Sequence, residues 1–109
     1  MFKKYAPHIS FLTLLLLVSC ATKPQSDVDT PEYHFKAGMR AIDNEDYQQS
    51  ITSFQRSVDL DSKFALGYGG LGLANAYLKN NKNAKDFASK SASRGSKDPD
   101  ALSLSARVW

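Results

Sequence analysis

Apolar positions recur along the chain with the period of an α-helix. One run is spaced 4, 3 and 4 positions apart: Tyr47, Ile51, Phe54 and Val58. This spacing places the four side chains on one helix face. Asp46 can cap the helix, and Gln49 three residues later completes a variant of the capping box. The pattern predicts a helix that begins directly after Asp46.

Residues that are typical of a helix N-terminus also predict a helix before this one. Thr30 can cap it, and Pro31 fits the first helical position. Glu32 lies in the first turn, where the helix dipole favours a negative charge. These signals predict a helix from Pro31 to Asp43, followed by a short turn.

The remaining chain carries the signals of two further helices. Ser62 can cap a third helix that ends near Lys79, and the polar residues 80–83, NNKN, are expected to form the next turn. A fourth helix is expected to run to about Arg94, with Gly95 as its stop.

The last eleven residues, PDALSLSARVW, predict a closing helix over residues 99–109. Asp98 can cap this helix and Pro99 fits its first position. The spacing of Leu102, Ala106 and Trp109 places them on one face. Every predicted element is therefore helical.

A shift of the chain by 34 residues aligns similar positions. The aligned pairs are His34 with Tyr68, Gly38 with Gly72, Ile42 with Ala76, Ser50 with Ala84, and Ser57 with Ser91. In both its period and its small residues the chain resembles the tetratricopeptide repeat family, in which each repeat is a pair of antiparallel helices. It departs from the family signature at His34 and Tyr68, which occupy the position of a tryptophan.

The resemblance implies an all-α fold of two TPR-like antiparallel helix pairs, residues 31–64 and 65–98, and the closing helix. The family's concave face is lined by the first helix of each pair. Its inner positions here include the apolar residues Phe35, Met39, Ile42, Leu73 and Tyr77. An exposed apolar face typically binds a partner. We expect this groove to bind another envelope protein or peptide segment, unless the closing helix or a second copy of the chain covers it.

The N-terminus has the features of a secretory signal sequence over residues 1–19. Lys3 and Lys4 precede a ten-residue run, residues 9–18, whose only polar members are Ser10 and Thr13. A membrane-spanning helix needs roughly 20 apolar residues, so this run is too short to be a retained span.

The signal sequence ends in Leu17-Val18-Ser19-Cys20, which resembles the lipobox of bacterial lipoproteins. The resemblance implies cleavage before Cys20 and acylation of this cysteine, which anchors the chain in a lipid membrane; the alternative is ordinary secretory cleavage. Residues 20–30 then form the lipidated cysteine and a polar, flexible tether. In the enteric lipoproteins that the motif resembles, an aspartate after the cysteine favours inner-membrane retention. The resemblance therefore implies that Ala21 favours the outer membrane, with the domain facing the periplasm.

Charge limits the classes of partner that the protein can be expected to bind. The net charge of +3 is too small to indicate nucleic-acid binding. Charge is unevenly distributed, with −5 over residues 27–61 and +6 over residues 62–97. The second region holds a basic patch: Lys79, Lys82, Lys85 and Lys90. This patch is either a solvated face or an orienting surface for an acidic partner or an anionic membrane.

The segment GYGGLG, residues 67–72, matches the glycine pattern of a dinucleotide-binding turn. Such a turn follows a buried strand, whereas this segment lies within a predicted helix, so no nucleotide is expected. Gly72 has a packing role in the family, and the other three glycines are expected to weaken the helix. With Cys20 lipidated and His34 as the one mature histidine, we expect no enzyme activity, metal or cofactor.

Together these features predict a membrane-tethered, TPR-like lipoprotein of the bacterial cell envelope. Its expected role is that of an adaptor or assembly factor that binds another protein. Two repeats are fewer than a helical-repeat domain usually needs, so the closing helix, a partner or homo-oligomer formation must supply further core. The alternative is a structural envelope lipoprotein that self-associates without a dedicated partner.

Overall fold

The structure, a computed structural model, describes residues 28–109. The predicted signal sequence, Cys20 and the first part of the tether lie outside the described residues. Residues 28–109 contain five α-helices and no strand. The helices are α1 (Pro31–Asp43), α2 (Tyr47–Leu60), α3 (Ala65–Tyr77), α4 (Asn81–Arg94) and α5 (Pro99–Ala106). The predicted all-α fold is confirmed.

The 34-residue period is also present in the structure. The helices α1, α3 and α5 begin at residues 31, 65 and 99, and α2 and α4 begin at residues 47 and 81. The hydroxyl group of Ser57 donates a 2.9 Å hydrogen bond to the carbonyl oxygen of Pro31, and Ser91 makes the same 2.9 Å bond to Ala65. The chain therefore contains two equivalent helix pairs, and α5 occupies the place of the first helix of a third pair.

Side-chain caps fix the starts of α1 and α2 as the sequence predicts. The hydroxyl oxygen of Thr30 accepts a hydrogen bond from the backbone N–H of Tyr33 at 3.2 Å. The carboxylate of Asp46 accepts one from the N–H of Gln49 at 3.1 Å. The side chain of Gln49 donates instead to Ser53, at 3.4 Å. Only one half of the predicted capping box is therefore formed.

The start of α3 and the turn after it differ from the sequence prediction. Ser62 does not cap α3, which begins at Ala65 after Phe64 without a side-chain cap. The carbonyl oxygen of Ser62 instead accepts 3.0 Å hydrogen bonds from the Tyr68 hydroxyl group and from Arg94 Nε. Most of the NNKN segment belongs to α4. The chain reverses at residues 78–80, where Lys79 adopts a left-handed backbone with φ of 65°.

The helix α3 lies at the centre of the domain and contacts all four other helices. All four of its glycines are buried: Gly67, Gly69, Gly70 and Gly72. A Cβ atom on any of them would lie within 3.1 Å of a neighbouring atom. The sequence pattern predicts only that three of these glycines weaken the helix. In the structure they lie at contact points between helices.

The helix α5 packs against α3 and α4 through Ala101, Leu104 and Ser105, which are all buried. The helix ends at Ala106, three residues before the end predicted from the sequence. The apolar face that the sequence pattern defines on this helix points outward. Leu102 is 42% exposed and Trp109 is 72% exposed.

Candidate partner-binding groove

The helices α1, α3 and α5 form a concave surface. Both α1 and α5 contact α3, and within residues 28–109 they do not contact each other. The side chains between them form an open cavity of about 290 Å³, lined mainly by Phe35, Met39, Leu66, Leu104 and Arg107. This arrangement leaves an opening beside α3 that is lined by apolar side chains of three helices.

A second cavity of about 240 Å³ lies beside the first. Its lining consists of Leu73, Ala76 and Tyr77 from α3, together with Arg107. Because Arg107 lines both cavities, they form adjoining parts of one surface. We call this surface, defined by the lining residues of the two cavities, the groove.

The five predicted groove residues occupy different depths. Phe35 and Met39 are half-buried and line the first cavity. Tyr77 is 46% exposed and lines the second cavity, with the buried Leu73 beside it. Ile42 lies in the core with Phe54 and Leu71 and lines neither cavity. Four of the five side chains are thus brought together at the groove.

Three polar residues of α5 and its C-terminal end also line the groove, and the sequence prediction did not include them. They are Asp100, Ser103 and Arg107. A signal for them was present, because they lie 34 residues after Leu66, Gly69 and Leu73, which are inner positions of α3. Extending the repeat by one more helix would therefore have identified them.

The stacked aromatic rings of Tyr47 and Tyr77 border the groove. The rings of Tyr47 and Tyr77 lie 4.8 Å apart with an interplanar angle of 7°. Desolvation raises the pKa of the Tyr47 hydroxyl group, and the nearby negative charge of Glu45 raises it further. The stack fixes Tyr77 against α2, so this exposed ring has a defined position.

The four lysines of the predicted basic patch are all exposed. Lys79 lies in the turn after α3, whereas the other three are on α4. The Nζ atom of Lys85 lies 5.5 Å from the centroid of the Trp109 ring, and that of Lys90 lies 5.4 Å from the Phe87 ring. The two lysines therefore accompany different aromatic neighbours, and neither lines the groove.

The N-terminal segment is held to the domain by Asp29. Its carboxylate accepts hydrogen bonds from both the Nε and Nη2 atoms of Arg56 on α2. A third contact joins it to Nε2 of His34 on α1, at 2.7 Å. The hydrogen bonds from Arg56, and then that with His34, hold the pKa of Asp29 below its ordinary value of 3.8. The histidine thus has a structural partner.

Within residues 28–109, no group of three or more histidine, cysteine, aspartate or glutamate side chains could hold a metal ion. None of the helices described in this range is long and apolar enough to cross a membrane. Comparisons of the chain with protein-family models, curated protein sequences and solved structures found no match. Residues 28–109 form a small all-helical domain of paired helices, compatible with a TPR-like helical repeat.

Proposed function

We propose that the protein is a TPR-like bacterial lipoprotein that binds another envelope protein through the groove. In this proposal Cys20 is acylated and anchors the chain in the outer membrane, and the helical domain faces the periplasm. The protein then acts as a tethered adaptor or assembly factor.

The observation that carries this proposal is the open groove between α1 and α5. Phe35 and Met39 of α1 and Tyr77 of α3 are incompletely buried within residues 28–109. Apolar side chains at the base of a concave surface gain stability when a partner covers them. A helix or extended segment with apolar anchors fits such a surface.

The polar border of the groove adds selectivity. Arg107 lines both cavities and Asp100 lines the first. A partner with apolar anchors and a carboxylate placed near Arg107 would satisfy both the apolar base and the guanidinium group. We therefore expect mutations of apolar groove residues to affect mainly affinity, and mutation of Arg107 to affect partner choice as well.

Site-specific photo-cross-linking in intact cells tests the proposal. A photoreactive amino acid is placed at Met39 or Tyr77 in the groove and, as a matched control, at Thr52 or Gln55 on the exposed face of α2. The proposal predicts the same cross-linked partner from both groove positions and no such product from either control position. A variant that combines Met39→Glu with the photoreactive residue at position 77 should give no cross-linked product. Its helical circular-dichroism signal should be the same as that of the wild type.

Other patterns of cross-linking would contradict a dedicated partner in the groove. A product between two copies of the chain from both groove positions would support the self-associating structural lipoprotein instead. Equal products from the groove and from α2 would indicate non-specific contact. Unfolding of the Met39→Glu variant would show that this part of the groove belongs to the core.

A further inference from the structure

The outward face of α5 differs from the equivalent faces of α1 and α3. In α1, Gly38 and Ala41 are buried, and Gly38 faces Phe54 of α2. In α3 the equivalent Gly72 and Asn75 are buried, and Gly72 faces the backbone of α4 at Ala84 and Ala88. The positions 34 residues further on are Ala106 and Trp109, and both are exposed. Leu102, which corresponds to the half-buried His34 and Tyr68, is exposed too.

In the first two pairs, the helix that covers this face runs antiparallel to its partner. Ser57 near the end of α2 is bonded to Pro31 at the start of α1, and Ser91 near the end of α4 is bonded to Ala65 at the start of α3. Within residues 28–109, no helix occupies the corresponding place beside α5. The repeat therefore defines both the position and the direction of a helix that would cover Leu102 and Trp109.

We propose that this outward face of α5 binds an acidic amphipathic helix of a partner protein, in the place of the second helix of a third pair. The exposed apolar surface of Leu102 and Trp109 would be buried against the apolar face of the arriving helix. This surface is separate from the groove, because the residues of α5 and its C-terminal end that line the groove lie on another side of the helix: Asp100, Ser103, Leu104 and Arg107.

The charges beside this face indicate the acidic character of the partner helix. Lys85 lies over the ring of Trp109, with its Nζ atom 5.5 Å from the ring centroid, and Lys82 is one turn earlier on α4. Acidic side chains at the edge of the arriving helix would pair with these lysines. A second copy of the chain, docked α5 against α5, would instead bring two sets of these lysines towards each other, which opposes a symmetric dimer at this face.

The repeat also specifies which residues the arriving helix should carry. Ala106 replaces the glycines Gly38 and Gly72 of the earlier pairs, so the residue opposite it should be small, as Ala88 is opposite Gly72. A serine or threonine near the end of the helix could donate to the carbonyl oxygen of Pro99, as Ser57 does to Pro31. The expected partner helix therefore carries acidic side chains along its edge, a small residue at its centre, and a serine or threonine near its end.

A peptide from the chain itself acquires this chemistry with one substitution and serves as the probe. Residues 46–61 comprise the cap and helix α2. This segment contains three aspartates, Asp46, Asp59 and Asp61, and one basic residue, Arg56, so its net charge is −2. Phe54→Ala in this peptide provides the small central residue. The matched control peptide is residues 80–95, the equivalent element of the second pair, which has a net charge of +3. Both peptides are blocked at their ends and labelled with a fluorophore.

Fluorescence anisotropy with the full chain in detergent measures the binding of each peptide. We expect saturable binding of the acidic peptide, about tenfold weaker binding when the salt concentration rises to 0.5 M, and no saturable binding of the basic peptide. Leu102→Glu should weaken binding of the acidic peptide at least about tenfold, which corresponds to 1.4 kcal/mol. Leu78→Glu is the matched control, because Leu78 is 38% exposed and belongs to the end of α3 and not to α5.

Four outcomes would overturn the proposal. Equal binding by the wild-type chain and the Leu102→Glu variant would place the peptide elsewhere, and absence of saturable binding would show that the face does not accept such a helix. Equal affinity for the two peptides would contradict the charge requirement. Analytical ultracentrifugation that finds a dimer in the wild type and a monomer in Leu102→Glu would assign the face to a second copy of the chain.

Discussion

The packing of Phe54 sets how closely three helices approach one another. Its side chain is fully buried and lies between Gly38 of α1 and Gly70 of α3. A Cβ atom on Gly38 would lie 2.5 Å from the ring, and one on Gly70 would also overlap with it. The aromatic ring therefore requires a glycine on each side.

We predict that Gly70→Ala destabilises the domain. Overpacking of the Phe54 ring costs about 1–3 kcal/mol, which outweighs the gain of roughly 0.5–1 kcal/mol that alanine brings to a helix. Urea unfolding of residues 21–109 measures the difference. In a double-mutant cycle with Phe54→Leu, the two effects should be less than additive, because leucine makes room for the new methyl group. A more stable Gly70→Ala variant would contradict this packing.

The carboxylate of Asp29 gives the domain an acid-sensitive contact. Because hydrogen bonds from Arg56, and then that with His34, lower the pKa of Asp29 in the folded state, its contribution to stability is present above the ordinary value of 3.8. The contribution is lost as the pH falls through the lowered pKa. Protonation of Asp29 removes the negative charge that both neighbours contact.

Comparison of Asp29→Asn with the wild type from pH 6 to pH 2 tests this linkage. We expect the wild type to be the more stable at pH 6. The difference between the two proteins should decline as the pH falls below 3.8 and disappear once the pH is below the lowered pKa of Asp29. The difference should be small because the contact is exposed. Asp43→Asn, at an exposed carboxylate on α1, is the control. A stability difference that stays constant over the whole pH range would contradict the role of Asp29 ionisation.

Among the secondary-structure elements, α5 shows that two leucines in one short helix can have opposite roles. Leu104 is 7% exposed and packs on α3 and α4, whereas Leu102 is 42% exposed. The helical spacing of the sequence defines both faces equally well, but it does not say which face meets the rest of the domain. That choice depends on the direction from which α5 approaches α3.

We predict that Leu104→Ala lowers the free energy of unfolding by about 2–5 kcal/mol because it leaves a cavity in the core. Leu102→Ala, two positions away, should change it by less than about 0.5 kcal/mol. Urea unfolding of the two variants at the same protein concentration makes the comparison. A similar loss for both leucines would show that the outward face of α5 is covered in solution.

Sequence alone predicted the type of every described helix and the bounds of α1. The starts of α1, α2 and α5 were predictable because each has a side-chain cap: Thr30, Asp46 and Asp98. The start of α3 was not, because Phe64 precedes it without a side-chain hydrogen bond. The turn before α4 was misplaced because a lysine, Lys79, takes the left-handed conformation that usually marks a glycine or asparagine.

The groove was predictable only as far as the repeat was followed. Residues of α1 and α3 were located by the spacing of 34, and the same spacing extended into α5 and its C-terminal end would have added Asp100, Ser103 and Arg107. The depth of Ile42 could not be read from the sequence, because it depends on the tilt of α1 against α2. Periodicity specifies a face, and packing decides which of its residues stay accessible.

At the scale of the whole molecule, the proposed anchor at Cys20 decides where the domain works. We predict that Cys20→Ala leaves the protein unprocessed or releases it from the membrane fraction, because no acyl chain can be attached. Ser19→Ala, which keeps a small residue before the cysteine, should be processed and anchored as the wild type. Mass spectrometry of the N-terminus and labelling with a palmitate analogue distinguish the variants. An unmodified mature N-terminus after Cys20 in the wild type would contradict acylation.

The contacts of Asp29 also determine how mechanical force enters the domain. A pull on the residues before Val28 reaches Arg56 on α2 and His34 on α1 together. Such a pull must separate these contacts before it can unwind α1 from Thr30. In the proposed tethered state, tension between the membrane and a bound partner would therefore be shared by two helices, and acidification that protonates Asp29 would make the first helix easier to peel away.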